Sequence, residues 1–356
     1  MPSAAALRQR PLPSGMAVPP PSATTATTTA TTSGAFASAV MLRLLVQGMQ
    51  ALGLDSSAVP APHLDQGPHV QLAAKRALLQ AAVAQGGLGC LLQLGRQARL
   101  EPSDPIHRAL DAACGVDDLL ARWGRLEPVV HRWHRVRVRR RDAGLLVLEH
   151  VSLRPGEAPR PAESLVVLGL LAALLARQGL QGLQAHAGAV PLLPHASEPA
   201  LQRLAAAGQA GLWQLRWQAG PTVPRAHLPE PVVPELCADL PWPAPALHCA
   251  RWLQQDPLRR PSLAAAAQSL GMARRSLQRA LAQHGMHFSA LVAEVRVRHA
   301  AWWLLQGALP MAEVGFVCGY ADQAHFSRAF KRRTGWSPGA YRAGFRPTPA
   351  RAPCRA

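Results

Sequence analysis

The spacing of apolar and polar residues changes along the chain. In the first third, after a low-complexity tail, apolar residues recur every three to four positions, which is typical of amphipathic helices. The pattern predicts an opening helix from about Ala39 and further helices at 69–84, 104–113 and 117–126. From residue 130 the period falls to two, which indicates strands.

The period-two region predicts a mixed domain. Its first two strands, Val130–Arg141 and Leu145–Leu153, flank the turn Asp142-Ala143-Gly144 and form a hairpin. The elements predicted after this hairpin are an apolar helix at 162–178, a strand near 182–192, a helix near 198–207 and a second hairpin with a strand at Leu212–Gln218 and a turn at Ala219-Gly220. Helices dominate while strands are present, so the fold class of this region is α/β or α+β.

The last hundred residues contain an internal repeat. Its first copy is Leu263, Ala267, Leu270, Gly271, Leu277, Arg279, Leu281 and Gly285, and its second copy is Met311, Gly315, Cys318, Gly319, Phe326, Arg328, Phe330 and Gly335. The two copies lie about 48 residues apart and keep nearly the same internal spacing. The region is otherwise helical in pattern, so we expect an all-α domain built from two similar units.

Each position of the repeat has a structural role. The first three members lie on one face of a short helix, and the small residue Ala267 or Gly315 lets a second helix cross closely. Gly271 and Gly319 end the short helix, because glycine adopts the left-handed conformation without steric cost. The second helix buries apolar residues four apart and exposes a polar face. This is the pattern of a helix-turn-helix, whose second helix reads DNA.

The polar faces of the two second helices supply the candidate DNA-binding residues. They are Arg274, Arg275, Gln278 and Arg279 in the first copy, and Gln323, His325, Arg328, Lys331 and Arg332 in the second. Arginine pairs with guanine and glutamine with adenine through two hydrogen bonds each. Apolar residues between Phe288 and Leu304 predict a long linking helix, which would hold the two second helices at a fixed separation. Two consecutive major-groove entries are roughly 34 Å apart.

The charge distribution favours the same function. Residues 250–356 hold 16 Lys and Arg against 4 Asp and Glu, whereas residues 1–249 hold 22 against 16. The net charge of +18 is therefore concentrated in one region, which points to a polyanionic partner, most simply nucleic acid. A bias toward Arg codons explains why only two residues are Lys, but it does not explain the scarcity of acids near the C-terminus.

Several other classes of protein are disfavoured. The longest apolar run, Leu165–Ala176, has 12 residues and is too short to span a bilayer. The six cysteines form no CxxC pair, which argues against a disulfide scaffold or a structural zinc site and fits a reducing compartment. No GxSxG, phosphate-binding loop or paired-carboxylate signature occurs in residues 41–250. We therefore expect no enzyme activity, no cofactor and no metal.

Composition divides the chain into five predicted segments. They are a disordered low-complexity tail at 1–38, an effector-binding or dimerisation domain at 39–240, a proline-punctuated linker at 241–256, a DNA-binding domain with two helix-turn-helix units at 257–346, and a flexible tail at 347–356. The first tail consists mainly of Pro, Ala, Ser and Thr, which cannot bury enough apolar surface to fold.

Residues 257–346 resemble the DNA-binding domain of the AraC/XylS family of bacterial transcription regulators. The resemblance lies in the stretches PSLAAAAQSLGMARRSLQRALAQHG and VGFVCGYADQAHFSRAFKRRTGWSPGAYR. It implies two helix-turn-helix units that read adjacent major grooves on one face of double-stranded DNA. The base contacts it implies fall on Arg275, Gln278 and Arg279 in the first unit and on Gln323, Ala324, His325 and Arg328 in the second.

One of these positions departs from the family's pattern. Ala324 offers no hydrogen bond, so we expect looser base readout by the second unit, with Arg328, Lys331 and Arg332 mainly holding phosphate.

Residues 41–235 resemble the arabinose-binding type of ligand-sensing domain in ornithine-utilisation and virulence regulators of that family. The resemblance rests on the opening helix LRLLVQGMQALGLD and on the order of the predicted elements. It implies a cytoplasmic activator or repressor, with a small-molecule effector, RNA polymerase and a second copy of the chain as further candidate partners. The alternative is a constitutive or non-specific DNA-binding protein whose N-terminal domain serves only dimerisation.

Three features of the N-terminal domain leave alternatives open. They are the arginines Arg135, Arg137 and Arg139, the tryptophans Trp213 and Trp217, and the histidines His131 and His134. The arginines alternate with valines, so they either protect an edge strand by charge or bind an anionic effector. The tryptophans either fill the core or line an effector pocket. The histidines are three positions apart in a predicted strand, so they are expected to face opposite sides and not to bind a metal together.

Overall fold

A computed structural model describes residues 36–57, 69–97, 104–131, 133–218, 235–306 and 309–345. Within these residues the chain forms an N-terminal α/β region that contains a sheet, and then a helical C-terminal region. The predicted change from an α/β region to a helical region along the chain is therefore confirmed. The turn at Ala219-Gly220 and almost all of the two predicted tails lie outside the described residues.

The N-terminal region begins with helices and continues into a larger sheet. Its first elements are β1 (Phe36–Ser38), α1 (Ala39–Ala51), β2 (His69–Gln71), α2 (Leu72–Gly86), α3 (Gly89–Gln97), α4 (Pro105–Asp111) and α5 (Val116–Val130). The elements after them are β3 (His134–Asp142), β4 (Leu145–Ser152), α6 (Pro161–Arg177), β5 (Gln181–Ala187), β6 (Val190–Leu193), α7 (Glu198–Ala206) and β7 (Leu212–Gln218).

Strands β3 to β7 form an antiparallel sheet in the order β3-β4-β7-β5-β6. The hairpin between β3 and β4 turns at Gly144, whose φ of 73° is one that glycine adopts readily. One face of the sheet carries Leu148, Ala185 and Trp213, which are buried in the core. Because β3 lies at the edge of this sheet, the structure supports the edge-strand interpretation of its alternating arginines.

Two glycines allow the central helices to touch backbone to backbone. A Cβ atom at Gly95 of α3 would lie 2.5 Å from the carbonyl oxygen of Val166 in α6, and one at Gly169 would lie 2.3 Å from the carbonyl oxygen of Leu92. Only glycine permits this approach. The contact seats α6, which is buried along most of its length, in the middle of the N-terminal region.

Several predicted elements of this region need correction. The strand expected from Val130 begins at His134, because α5 keeps its buried 3.6-residue pattern up to Val130 despite Pro128 inside the helix. The single strand expected near 182–192 is two strands, since Gly188 adopts a φ of 56° and turns the chain. Strand β7 pairs with β4 and β5 in the middle of the sheet and is not the first arm of a separate hairpin. Helix α3 was not predicted.

The C-terminal region is helical. Its elements are α8 (Ala244–Gln255), α9 (Leu263–Ser269), α10 (Arg274–Ala282), α11 (Phe288–Gln306), α12 (Met311–Val317), α13 (Gln323–Thr334) and α14 (Pro338–Phe345). We call α9 with α10 the first helix pair, and α12 with α13 the second helix pair.

The buried apolar residues form two separate clusters. The small core contains residues of α8, of the first helix pair and of the N-terminal half of α11, such as Leu277, Leu281 and Leu291. The large core contains the N-terminal region together with the C-terminal half of α11 and the second helix pair, including Phe326 and Phe330. The two helix pairs therefore belong to different cores, and α11 contributes to both.

None of the helices in the described part of the chain is by itself long and apolar enough to cross a membrane. Helices α2 and α3 are long and apolar enough only when taken together, and they are bent by 116° relative to each other.

Candidate nucleic-acid interface

The two helix pairs turn at equivalent glycines. Gly271 follows the last residues of α9 with a φ of 63°, and Gly319 follows α12 with a φ of 81°. Gly285 and Gly335, which close the two copies of the repeat, also have positive φ values, of 66° and 83°. The role predicted for Gly271 and Gly319 is thus confirmed, because each ends its helix in a conformation that other residues rarely adopt.

The inner faces of the pairs follow the predicted pattern. Leu277 and Leu281 of α10 are buried, as are Phe326 and Phe330 of α13. A Cβ atom at Gly315 would lie 3.2 Å from the Cβ of Phe326, so the absence of a side chain at Gly315 lets α12 and α13 pack closely. This packing orients the opposite faces of α10 and α13 toward solvent.

The outer faces carry the predicted DNA-binding residues. Exposed side chains there are Arg274, Arg275, Gln278 and Arg279 on α10, and Gln323, Ala324, Arg328, Lys331 and Arg332 on α13, while His325 is half-buried. Each set lies on one face of one helix, which gives two separate cationic surfaces. Their assignment to base or phosphate contacts stays a prediction.

The cations on these surfaces are not neutralised by nearby acids. Among the described residues, none of the six Arg and Lys side chains in the predicted set forms an ion pair. In contrast, Arg298 and Arg333 lie close by in sequence and both pair with Glu294. The surfaces therefore keep a positive charge that an external anion can neutralise.

The start of α13 is fixed by its own side chains. Asp322 caps the helix by accepting a hydrogen bond from the backbone N–H of His325 at 2.6 Å. The Nδ1 atom of His325 accepts a weaker hydrogen bond from the N–H of Ala321 at 3.4 Å, and the ring packs edge-on against Tyr320. Nδ1 is thereby used inside the turn, and Nε2 is the ring nitrogen left for an external partner.

A buried polar cluster in the N-terminal region was not identified from the sequence. Lys75 of α2 and Glu163 of α6 form an ion pair of 3.3 Å with side chains that are 2% and 0% exposed. The Nζ atom of Lys75 also lies 2.9 Å from Nε2 of His131. His134 and His150 complete the cluster, and Nδ1 of His150 lies 3.1 Å from the hydroxyl of Ser164.

The protonation states of this cluster follow from its burial. Burial lowers the pKa of His131, so its Nε2 is free to accept a hydrogen bond from Lys75. Burial likewise lowers the pKa of His150 to about 3. Burial alone would raise the pKa of Glu163, but the Lys75 ammonium and the backbone N–H of Arg160 outweigh it and hold that pKa below its usual range.

The prediction that His131 and His134 face opposite sides is wrong. Their rings stack with centroids 5.3 Å apart. The reason is that His131 follows the end of α5 while His134 begins β3, so the two-residue alternation of a strand does not apply between them. No group of His, Cys, Asp and Glu side chains suited to hold a metal ion was found in the described ranges.

The tryptophans and arginines of the sheet separate into different roles. Trp213 is fully buried and donates to the carbonyl oxygen of Ala210, which is the environment of a core residue. Trp217 is partly buried, and the guanidinium of Arg141 lies 5.3 Å from its ring centre. On the edge strand, Arg139 pairs with Glu149 of the neighbouring strand.

Comparison with known proteins identifies the C-terminal region. Residues 266–344 match the family described as "Helix-turn-helix domain". The chain is 35% identical over 100 residues to the transcriptional regulator GlxA of Rhizobium meliloti, and 37% identical over 82 residues to the ornithine utilization regulator of Pseudomonas aeruginosa. These alignments cover 28% and 23% of this chain, and 31% and 24% of the relatives. The chain thus spans about a quarter to a third of the length of these relatives.

Solved structures give more distant likenesses. The transcriptional regulator CdpR of Pseudomonas aeruginosa aligns with a TM-score of 0.33 and 19% identity, covering 85% of this chain and 98% of that protein. The C-terminal domain of AraT from Geobacillus stearothermophilus aligns with a TM-score of 0.28 and 28% identity, covering 31% and 93%.

Together with the sequence relatives, the family match confirms that the C-terminal region carries a helix-turn-helix domain of the AraC type and that its relatives regulate transcription.

Proposed function

We propose that the protein is a sequence-specific DNA-binding regulator of transcription. The observation that carries this proposal is the pair of exposed, cationic helix faces on two equivalent helix pairs. Each pair has the turn glycine and buried inner face of a helix-turn-helix. In this proposal both pairs act as helix-turn-helix units, α11 is the rigid link between them, and α10 and α13 enter two adjacent major grooves.

The side chains divide into two roles by their chemistry. Gln278, Arg279 and Gln323 have the donors and acceptors that distinguish base edges. His325 offers its Nε2 atom to an acceptor on DNA, because Nδ1 is occupied within the turn. Lys331 and Arg332 lie in the last turn of α13 and are assigned to phosphates, where a point charge suffices. Arg275 joins the base-reading residues of α10, and Arg328 is assigned mainly to phosphate, like Lys331 and Arg332. Arg274 is exposed beside Arg275 on α10.

A non-specific DNA-binding protein would need only the charge. The two faces instead combine uncompensated cations with glutamines at ordered positions, and glutamine adds hydrogen-bond pattern and no charge. This favours sequence-specific binding over the non-specific alternative. The protein would act on double-stranded DNA in the cytoplasm, with RNA polymerase as a further partner, and without enzyme activity.

Selection of bound duplexes from a random DNA pool tests the proposal directly. Full-length protein at moderate salt should enrich a motif of two blocks whose centres lie about one helical turn apart. Binding without enrichment, which merely weakens as the salt concentration rises, would contradict sequence-specific function and support the non-specific alternative.

The N-terminal region is assigned to effector sensing by its buried polar cluster. A core that served packing or dimerisation alone would not need an ion pair and three histidines, since buried charges are costly unless paired. His134 is 6% exposed, and its Nδ1 atom has no hydrogen-bond partner within the described residues.

Thermal unfolding in the presence of individual small metabolites tests this assignment. An effector should raise the unfolding midpoint of the wild-type protein and should not raise that of Glu163→Gln. If no compound in a broad set of small acids, amines and sugars raises the wild-type midpoint, the dimerisation alternative is favoured.

A further inference from the structure

Two arginines of α5 connect the N-terminal region to the C-terminal region. Arg122 is buried, and its guanidinium makes two hydrogen bonds to the carboxylate of Asp256, of 2.8 Å and 2.6 Å. It also donates to the carbonyl oxygen of Ala109 at 2.6 Å. Asp256 immediately follows α8, so this ion pair fixes the segment that leads into the first helix pair against the N-terminal region.

Arg125 lies one turn further along α5 and reaches the second helix pair itself. Its guanidinium donates to the carbonyl oxygen of Tyr320 at 3.1 Å, and at 3.4 Å to that of Leu258. Tyr320 lies two residues before Asp322, the residue that caps α13. The guanidinium thus holds the backbone of the turn from which the predicted DNA-reading helix starts.

The turn has little freedom to move at this point. A Cβ atom at Gly319 would lie 2.2 Å from the carbonyl oxygen of Pro257, so the segment at 256–258 runs directly against the turn. Helix α12 also packs on α4 and α5, and the apolar residues of the second pair belong to the large core. The buried residues of the first pair belong instead to the small core, which among the described residues includes none from β1 to β7.

From these contacts we infer that Arg125 is a positioning residue for DNA readout by α13, and that the N-terminal region holds the second helix pair directly but the first only through the segment at Asp256. This inference rests on the proposed function. Arg125 touches no DNA in this account. It acts mainly through the Tyr320 carbonyl, so its removal should impair the bases that α13 reads more than those that α10 reads.

The test uses full-length protein and the duplex enriched by selection. Arg279→Ala and Gln323→Ala first assign each block of that duplex to α10 or to α13. Binding constants are then measured for wild type, Arg125→Met and the control Arg96→Met, on duplexes with single base changes in either block. Arg96 is exposed on α3 and makes no ion pair among the described residues, so its variant removes a charge from the N-terminal region without touching the turn.

We expect Arg125→Met to lose about tenfold in discrimination within the α13 block, with changes of less than about twofold in the α10 block. Arg96→Met should match wild type in both blocks. Thermal unfolding midpoints check that the variants are folded. Should Arg125→Met fail to fold, Arg125→Lys keeps the charge but cannot span both carbonyl oxygens, and it should show the same asymmetry at smaller magnitude.

Two results would overturn the inference. One is an equal loss of discrimination in both blocks, and the other is unchanged discrimination in the α13 block of a folded variant. The proposed function fails separately, if neither Arg279→Ala nor Gln323→Ala changes the preference at any base.

Discussion

The two helix pairs share one sequence pattern but differ in what they are attached to. The first pair packs through aliphatic residues such as Leu277 and Leu281 into the small core, with α8 and half of α11. The second pair packs through Phe326 and Phe330 into the large core, which continues through the N-terminal region. The repeated spacing therefore determines the local geometry of each pair. Which core each pair packs into depends on residues outside the repeat.

Substitutions in the large core and in the small core should differ most in how far the loss of stability spreads through the protein. Phe326→Ala removes a fully buried ring from the large core and should lower the free energy of unfolding by about 3–5 kcal/mol. Because that core includes the N-terminal region, the main thermal transition should shift. Leu277→Ala should mainly loosen the first helix pair, and hydrogen exchange should show lost protection confined to 244–295. Equal loss of protection throughout the chain in both variants would show that the two cores unfold as one unit.

The ion pair between Arg122 and Asp256 should be the next most sensitive point. Arg122→Ala leaves the buried carboxylate of Asp256 with only Arg259, whose Nε lies 3.6 Å away, and should lower the free energy of unfolding by about 3 kcal/mol. The double variant Arg122→Met/Asp256→Leu removes both charges and should cost clearly less, as denaturant unfolding can measure. If the double variant is as unstable as the single one, the attraction between the two charges stabilises the contact between α5 and Asp256, and apolar packing cannot replace it.

Acid should weaken the large core first. The buried histidines His131, His134 and His150 have lowered pKa values, about 3 for His150, because burial disfavours their charged forms. As the pH falls below about 6.5, these histidines become protonated in the unfolded chain but stay neutral in the folded protein. The free energy of unfolding therefore decreases as the pH falls. Replacement of His150 by Asn should flatten the profile of unfolding midpoint against pH between 6.5 and 3.

Glu127 provides the opposite case within the same core. Burial raises its pKa to about 7, so between pH 7 and 4.5 the folded protein binds a proton that the unfolded chain does not, and stability rises as the pH falls. Glu127→Gln should therefore steepen the acid loss in that range. A shallower profile for this variant would contradict the assigned direction of the shift.

The smallest free-energy changes are expected at the exposed faces of α10 and α13, the proposed DNA contacts, where burial makes no contribution. Arg279→Ala should cost about 1–3 kcal/mol at one base position and relax the choice of base there. Arg332→Ala should weaken binding to all duplexes by a similar factor. It should also reduce the slope of the logarithm of the binding constant against the logarithm of the salt concentration by about one. Titrations on matched and mismatched duplexes at several salt concentrations distinguish the two. Equal losses on every duplex for Arg279→Ala would remove it from the residues that read bases.

Local structure in the C-terminal region could be predicted because each signal there is short-range. The positive φ of Gly271 and Gly319 and the burial of residues four apart on α10 and α13 all follow from positions a few residues apart. The close packing of Gly315 on Phe326 also lies within one copy of the repeat.

Contacts between distant segments could not be predicted in this way. Arg122 and Asp256 are 134 residues apart, and Lys75 and His131 are 56 apart, and neither pair belongs to a repeating pattern. The same limit applies to β7, whose bounds were predicted correctly but which was assigned to a separate hairpin, because its partners β4 and β5 precede it by long intervals. The pairing of strands depends on the whole sheet, while the sequence pattern of β7 indicates only that it is a strand.

We propose that the two helix pairs together read one DNA sequence. It is tested most directly by the dissociation constants of full-length protein for the selected duplex and for a shuffled duplex of the same base composition, across a series of salt concentrations. Sequence-specific binding predicts a ratio of at least about 10³ that persists as the salt concentration rises. A ratio close to one, with both constants rising in parallel, would show that only charge is recognised and would contradict the account.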